Sequence, residues 1–348
     1  MAADYALLDE ALARLAFAGP ELGNTFSNHA PMAIEALCTL GRGDAVLPWL
    51  ERYRTGFLPR PAPVERIGEA GWQAALGRPR RFGDWFAYFQ AELAERPWRA
   101  VLARWTPRLA RGIVAAAMHG VLRAGHAARA LAAEETPERR RELADGLAYW
   151  ASDYQALPSG PADGPPAPPS AAIARVARLP PAERGTFGAL TDALRRLDGF
   201  APFRAVRRAV DPGADLDAFA SDLAATFARV YLANARDPLT TIAFIHTVTG
   251  PAALRPILPH VDGAAGRAAL AHAWQASAGL YAAFGTAAPA LAVEEAPGLR
   301  AEDLIDRAVA SGDEHAIKFT AACLDEHARR PDPAFLRAAD HAIGALAG

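Results

Sequence analysis

Lysine is almost absent from this chain of 348 residues. Lys318 is the only one, whereas arginine occurs 36 times. Arginine replaces lysine as a surface cation, but its guanidinium keeps its proton and supplies neither a nucleophilic amine nor a carbamate. The single retained amine is therefore a candidate for a nucleophilic role or for carbamate formation. Its position four residues after Glu314 is equally that of an ordinary helical ion pair.

Cysteine, long apolar runs and an excess of one charge are also missing. The two cysteines, Cys38 and Cys323, are too few for a disulfide framework and occupy apolar positions of helical patterns, which predicts buried thiols. No apolar stretch reaches the roughly 20 residues that span a bilayer. The net charge of -2 argues against nucleic acid as the main partner. Because the chain begins with acidic residues and has no signal peptide, we expect a cytoplasmic protein that binds neither membrane nor nucleic acid.

Alternating strand patterns are scarce, and the apolar residues recur at helical spacing. The spacing predicts helices over 6–16, 30–40, 84–95, 98–105, 108–133, 137–155, 188–197, 216–235, 238–248, 263–284, 301–311, 314–328 and 333–346. Segment 240–249 is rich in β-branched residues, but its start at Asp237-Pro238 and its stop at Gly250-Pro251 favour a helix. We therefore expect an all-α protein.

Proline and glycine are concentrated in segment 157–170, LPSGPADGPPAPPS. These residues do not enter a helix interior, so the segment is predicted to be a loop. We interpret it as a surface excursion of one large multi-helix domain over 1–348. A division into two domains at 157–170 is the alternative.

Histidine is the metal-binding residue type that the sequence contains in number. The histidines with the most suggestive contexts are His29, His119, His126, His246 and His315. The others read as structural or solvated, namely His260, His272, His327 and His341. Imidazoles together with one oxygen donor suit iron, zinc, copper or nickel.

His119 and His126 are seven residues apart in a predicted helix. Two helical turns separate them, so both side chains face the same way at about 10 Å along the axis. The neighbouring Gly120 and Gly125 allow another group to approach closely. Two histidines at this spacing rarely bind one ion. One of them is therefore a ligand, and the other contacts a ligand or the substrate.

Lys318 lies three residues after His315, on the same helix face. The spacing of Ser311 and Glu314 predicts a capping box at the start of this helix. A protonated ammonium would repel a cation, so Lys318 serves as a ligand only when deprotonated or modified. Burial beside imidazoles lowers the pKa of an amine, and the free amine adds carbon dioxide to give an anionic carbamate.

Five segments, in order, resemble the questin oxidase-like family. They are SNHAPMA at 27–33, MHGVLRAGHA at 118–127, GLAYWA at 146–151, IHTVTGP at 245–251 and GDEHAIKFT at 312–320. Together they extend over nearly the whole chain and are more specific than any one of them. Met118 departs from the family pattern, in which a small polar residue is expected before the histidine. The departure bears on the residues that line the pocket more than on the metal ligands.

The resemblance implies an all-helical, non-haem iron-dependent oxygenase that uses dioxygen to cleave a ring of an anthraquinone-like aromatic polyketide. It also implies an Fe(II) site with several histidines and a carboxylated lysine. On this chain the metal ligands are drawn from His29, His119, His126, His246, His315 and Lys318. The family has also been described as NADPH-dependent. The chain has no Gly-x-Gly-x-x-Gly turn after a strand, so NADPH would act as a reductant without a Rossmann site.

Arg123, one turn after His119, is a candidate partner for a phenolate or carboxylate of the substrate, with a buried ion pair as the alternative. Several aromatic residues either line a pocket for a planar substrate or form plain core, namely Trp72, Trp85, Phe89, Trp105, Tyr149, Trp150, Tyr154 and Trp274. Two other functions are consistent with the sequence. One is a zinc hydrolase with a carbamylated lysine, and the other is a non-catalytic helical binding or scaffold protein.

Overall fold

Helices dominate the computed structural model, which confirms the expected all-α class. The structure describes residues 2–24, 26–53, 56–184, 190–290, 292–295 and 297–347. Among these residues, no helix combines the length and the apolar character needed to cross a bilayer.

The chain divides into two compact units. The first unit comprises Met1–Gln155 and Ala253–Asp262, and the second comprises Ala156–Ala252 and Gly263–Gly348. The boundary lies directly before the proline-rich segment, which is free of helix until Pro169. The loop predicted at 157–170 is confirmed over 157–168, whereas Pro169 and Ser170 begin a short helix. The grouping of the whole chain into one domain stays a prediction.

The first unit combines seven helices with a short antiparallel sheet in its described residues. The helices are α1 (Leu8–Arg14), α2 (Ala30–Thr39), α3 (Val46–Tyr53), α4 (Phe82–Glu95), α5 (Trp98–Leu109), α6 (His119–Ala133) and α7 (Pro137–Ser152). Strands β1 (Ala18–Leu22) and β2 (Phe57–Pro59) pair, with Ala18 opposite Pro59 and Leu22 opposite Phe57. The sequence did not predict this sheet, because strands of three and five residues containing proline and glycine carry no alternation signal.

The second unit is built from further helices. These are α8 (Pro169–Ala172), α9 (Pro181–Arg184), α10 (Leu190–Arg195), α11 (Leu216–Asn234), α12 (Pro238–Ala252), α13 (Gly263–Phe284), α14 (Ala301–Ser311), α15 (Glu314–Arg329) and α16 (Pro333–Leu346). Helix α12 confirms the helical prediction for 240–249, and its cap is Asp237, whose side chain accepts from the Thr240 amide at 2.9 Å. The first two residues of the predicted helix 188–197 lie outside the described residues.

The prediction of one continuous helix over 108–133 is wrong. Helix α5 ends at Leu109, a 3₁₀ turn covers Ala110–Gly112, and α6 begins only at His119. The residues before α6 adopt left-handed backbone angles, with φ of 46° at Ala116, 55° at Ala117 and 72° at Met118. Alanine is the strongest helix former, so the local pattern gave no warning, and tertiary packing overrides propensity here.

Helix α6 packs closely against neighbouring backbone through its glycines. A Cβ atom at Gly120 would lie 2.4 Å from Cα of Trp150 on α7, and one at Gly125 would lie 2.2 Å from the carbonyl oxygen of Ala253. The sequence predicted close approach at both positions. The approaching groups are protein backbone.

Replacing Gly120 with alanine should therefore destabilise the protein. The added methyl group forces α6 and α7 apart, and we expect the free energy of unfolding to fall by about 1–3 kcal/mol. Gly344→Ala is the matched control, because Gly344 lies in α16 with open space around it and should gain about 1 kcal/mol from helix propensity. Urea denaturation followed by circular dichroism measures both changes. Wild-type stability of Gly120→Ala would contradict this packing.

Candidate metal-binding residues

His29 is held at the start of α2 by its neighbour Asn28. The Asn28 side-chain amide donates to the carbonyl oxygen of Gly19 at 3.1 Å, and its Oδ1 accepts from the Ala30 amide at 3.1 Å. Its own backbone amide donates to Pro20 at 2.7 Å. These three bonds fix the backbone on both sides of His29, whose side chain does not cap the helix.

In the first unit, the rings of His29 and His119 meet. Their Nε2 atoms are 2.6 Å apart, and the ring centroids are 4.7 Å apart. Nδ1 of His119 lies 2.5 Å from the carbonyl oxygen of Ala116 and donates to it, because a carbonyl only accepts. The left-handed residues before α6 thus orient the His119 ring. In a neutral imidazole this leaves the Nε2 lone pair of His119 facing His29.

His126 has a different partner from His119. Its Nδ1 lies 2.5 Å from Oε2 of Glu35 on α2. The Arg129 guanidinium binds the same carboxylate at 2.9 and 2.8 Å, and the Tyr5 hydroxyl donates to it at 2.9 Å. The structure therefore separates the two histidines that the sequence left as alternatives. His119 contacts His29, and His126 contacts a carboxylate.

Glu35 is a buried residue that the sequence interpretation missed. Burial raises the pKa of its carboxyl group, but the charges and hydrogen bonds of Arg129 and His126 outweigh burial and hold the pKa below its ordinary value. Glu35 is thus an ionised carboxylate inside the first unit. A signal was present in the sequence, because Glu35 is the only charged residue of α2. Such a lone charge in an apolar helix requires a specific partner.

In the second unit, His246 is buried near the middle of α12 and is 1% exposed. Its Nδ1 donates to the carbonyl oxygen of Ile242 at 2.7 Å. Burial and the positive charge of Lys318 lower the pKa of His246 to about 4, although the bond to Ile242 opposes this. The ring is therefore neutral at neutral pH and carries its proton on Nδ1, so Nε2 carries the lone pair.

His315 enters the second unit at the start of α15. Its ring centroid lies 6.0 Å from that of His246. The predicted capping box is wrong, because the cap is Asp313, whose Oδ1 accepts from the amides of His315 and Ala316 at 2.8 Å each. Ser311 instead accepts from the Asp313 amide at 3.3 Å. The cap fixes the backbone from which His315 projects.

Lys318 is 4% exposed, on the same helix as His315. Burial lowers its pKa to about 8, and the carboxylates of Glu314 and Asp313 oppose the shift. Roughly a tenth of the side chain is then the free amine at pH 7, far more than for an exposed lysine. The second unit thus brings together two buried imidazoles and an amine that ionises near neutral pH.

Arg123 lies in a buried ion pair, which is the alternative the sequence allowed. Its Nε and Nη2 donate to the two carboxylate oxygens of Glu142 at 2.8 Å each, and Asp145 is 3.9 Å away. Among the described residues no hydrogen-bond acceptor meets its third nitrogen, Nη1. The guanidinium therefore has one donor group available beyond the ion pair.

The aromatic candidates include residues that pack as core. Trp85, Phe89 and Trp105 are completely buried. The Trp85 and Phe89 rings stack at 5.6 Å, and Trp105 meets Phe89 edge-on at 4.9 Å. Their burial against one another favours the core interpretation.

The remaining histidines have ordinary partners. His272 lies 3.3 Å from the side-chain oxygen of Gln275, the neighbour that the sequence gave it. His341 meets the Tyr231 hydroxyl at 2.9 Å, and His260 packs edge-on against Trp98. His327 lies 3.0 Å from the carbonyl oxygen of Asp332.

Comparison with protein families gives one match over most of the chain. The model of the family described as Questin oxidase-like matches residues 26–323. The matched region includes every candidate metal-binding residue, from His29 to Lys318. No curated protein matches the sequence.

The ionisation of Lys318 should appear in the pH dependence of stability. Its folded-state pKa of about 8 is below the ordinary 10.5, so between these values the unfolded chain binds a proton that the folded protein does not. The contribution of Lys318 to the free energy of unfolding should therefore be lowest below pH 8 and rise up to pH 10.5. The rise should be about 3 kcal/mol, at about 1.36 kcal/mol per pKa unit.

Urea titrations of metal-free protein in carbon dioxide-free buffer measure this change. Lys318→Met is the control, because it keeps the buried aliphatic volume and removes the amine. The difference between wild type and variant isolates Lys318 from the tyrosines. Parallel stability curves across this pH range would show that the amine is not buried as described.

Proposed function

The chain belongs to the questin oxidase-like family, and from this premise we propose that it is a non-haem iron-dependent oxidase of anthraquinone-like aromatic polyketides. In this proposal it uses dioxygen to cleave a carbon–carbon bond of the ring. The observation that carries the proposal is the burial of several imidazoles and of the single amine, whose pKa burial lowers to about 8. The proposed ligands are His29, His119, His246, His315 and Lys318.

The donor set fits a transition-metal ion. His119 and His246 each donate Nδ1–H to a backbone carbonyl, which fixes the tautomer that presents Nε2 as a ligand. Neutral imidazole suits Fe(II) as well as zinc and copper. His126 is bound to Glu35 and Arg129, so we assign His119 rather than His126 to the metal.

Lys318 fits the role of an anionic oxygen ligand once it is carboxylated. The free amine attacks carbon dioxide, a nitrogen–carbon bond forms, and a proton leaves to give the carbamate. A low pKa supplies the amine at neutral pH, which supports this step. The carbamate would also offset the positive charge of an ion surrounded by neutral imidazoles.

Fe(II), when bound, would supply the activation of dioxygen. The protein would hold the ligands at fixed orientation and exclude water from them, as the burial of His246 and Lys318 in the second unit indicates. We propose Arg123 as a partner for a phenolate or carboxylate of the substrate through Nη1. In this proposal NADPH reduces the substrate or the iron. The described residues contain a two-stranded antiparallel sheet, whereas a Rossmann dinucleotide site is built on a parallel sheet.

Metal analysis of protein purified without chelator tests the iron assignment. We expect about one iron per chain, and the substitutions His29→Ala and His315→Ala should each remove most of it, because a lost ligand weakens the whole site. His327→Ala is the matched control, since His327 bonds to the backbone of Asp332. Protein without metal, with a melting temperature that ignores EDTA, would favour the scaffold alternative.

The same preparation distinguishes the oxidase from a zinc hydrolase. With a reduced anthraquinone as substrate, the wild type should consume dioxygen and give a ring-opened product that carries oxygen from it. A zinc-loaded protein that consumes no dioxygen would contradict the oxidase assignment and favour the hydrolase.

The role of Lys318 is tested by labelling with ¹³C-bicarbonate. The wild type should show a carbamate carbon resonance that is absent from Lys318→Arg, because arginine keeps its proton and forms no carbamate. Lys318→Arg should also lose iron and activity while retaining its helical circular dichroism. The α-amino group forms carbamates too, so protein with an acetylated N-terminus is the control. Full activity of Lys318→Arg would remove the proposed role.

A further inference from the structure

Helices α2 and α6 of the first unit meet at two levels. The first level is the contact between His29 and His119. The second is the cluster of Glu35, His126 and Arg129, which we call the carboxylate clamp. We propose that the carboxylate clamp is a positioning device that fixes the axial register of α2 against α6 and so aligns Nε2 of His29 with Nε2 of His119. The effect that we expect on metal affinity rests on the proposed metal-binding function.

The spacing of the two levels is nearly equal on the two helices. Glu35 follows His29 by six residues, which is about 9 Å along the axis, and His126 follows His119 by seven, which is about 10 Å. The helices therefore run in the same direction, and both levels form at one register only. Sliding either helix by one turn breaks both contacts together.

The clamp is directional, whereas the other buried residues of α2 are apolar. An ionised carboxylate only accepts hydrogen bonds, and Glu35 accepts them from the forked guanidinium of Arg129 and from the His126 ring. In any other register this buried charge would lose the Arg129 guanidinium and the His126 ring, which is strongly unfavourable. Burying an ion pair contributes little net stability, and its best-attested use is to specify register.

The remainder of α2 supplies no second buried charge. Its other buried residues are alanine, proline, methionine, isoleucine, leucine and cysteine, and Ala30, Ala33 and Ala36 present only methyl groups. Contacts between such surfaces are non-directional and tolerate small shifts. A shift of 1 Å would separate the two ring nitrogens, which are now 2.6 Å apart. The clamp therefore acts on metal binding through position, without touching the metal.

Titration of the metal-free, full-length protein with cobalt(II) tests this inference. Glu35→Gln should bind cobalt about tenfold more weakly, the range in which residues outside the ligand shell act. Asp84→Asn is the matched control. Asp84 is likewise a buried carboxylate of the first unit paired with an arginine, Arg81, but it lies on α4. Its cobalt affinity should stay within about twofold of wild type, because distant sites couple weakly.

Two further variants separate positioning from folding. In Glu35→Leu/His126→Leu/Arg129→Met, apolar side chains replace all three members of the clamp, so the metal-free melting temperature should hold while cobalt affinity falls. Arg129→Met removes the partly exposed half of the clamp, and should fold even when the Glu35 variants do not. Its cobalt affinity should lie between wild type and Glu35→Gln. Wild-type affinity in any of these folded variants overturns the inference.

Crystal structures of metal-free wild type and Glu35→Gln decide the inference independently of metal binding. The separation between Nε2 of His29 and Nε2 of His119 should exceed hydrogen-bonding distance in the variant only. If the wild type binds no cobalt, the proposed function fails, and this separation still shows whether the clamp positions the pair. An unchanged separation in Glu35→Gln overturns the positioning role.

Discussion

Burying an ionisable side chain costs free energy, and the groups around the candidate ligands meet that cost in two ways. In the second unit the groups approach neutrality. Burial lowers the pKa of His246 to about 4 and that of Lys318 to about 8. In the first unit charges are kept and paired, as Glu35 is with Arg129 and His126. The lowered pKa values favour the uncharged forms in the second unit, and the paired charges hold the scaffold of the first unit.

The choice of cation follows the same division. Arginine does not lose its proton, so a buried arginine must find a carboxylate. The first unit contains such pairs at Arg123 with Glu142 and Arg139 with Asp9. The second unit buries the only lysine of the chain instead, and a lysine can become neutral. The two units thus bury different cations: arginines that keep their charge in the first unit, and a lysine that can lose its proton in the second.

Three of the candidate ligands lie at the starts of helices. His29 precedes α2, His119 is the first residue of α6, and His315 is the second residue of α15. The positive end of a helix favours an anion such as a carbamate or a substrate oxygen. His246 lies within α12, and burial lowers its pKa.

The sequence by itself determined the helical class, the loop at 157–168 and the residue types of the candidate site. These follow from local rules, since the 3.6-residue period places His315 and Lys318 on one face and proline excludes a helix. Only the tertiary structure decided that His119 meets His29 and that His126 meets Glu35. It also revealed the break before α6 and the short sheet. The physical reason is that periodicity fixes the face of a helix on which a side chain lies. The partner across that face is set by packing between residues that are far apart in the chain.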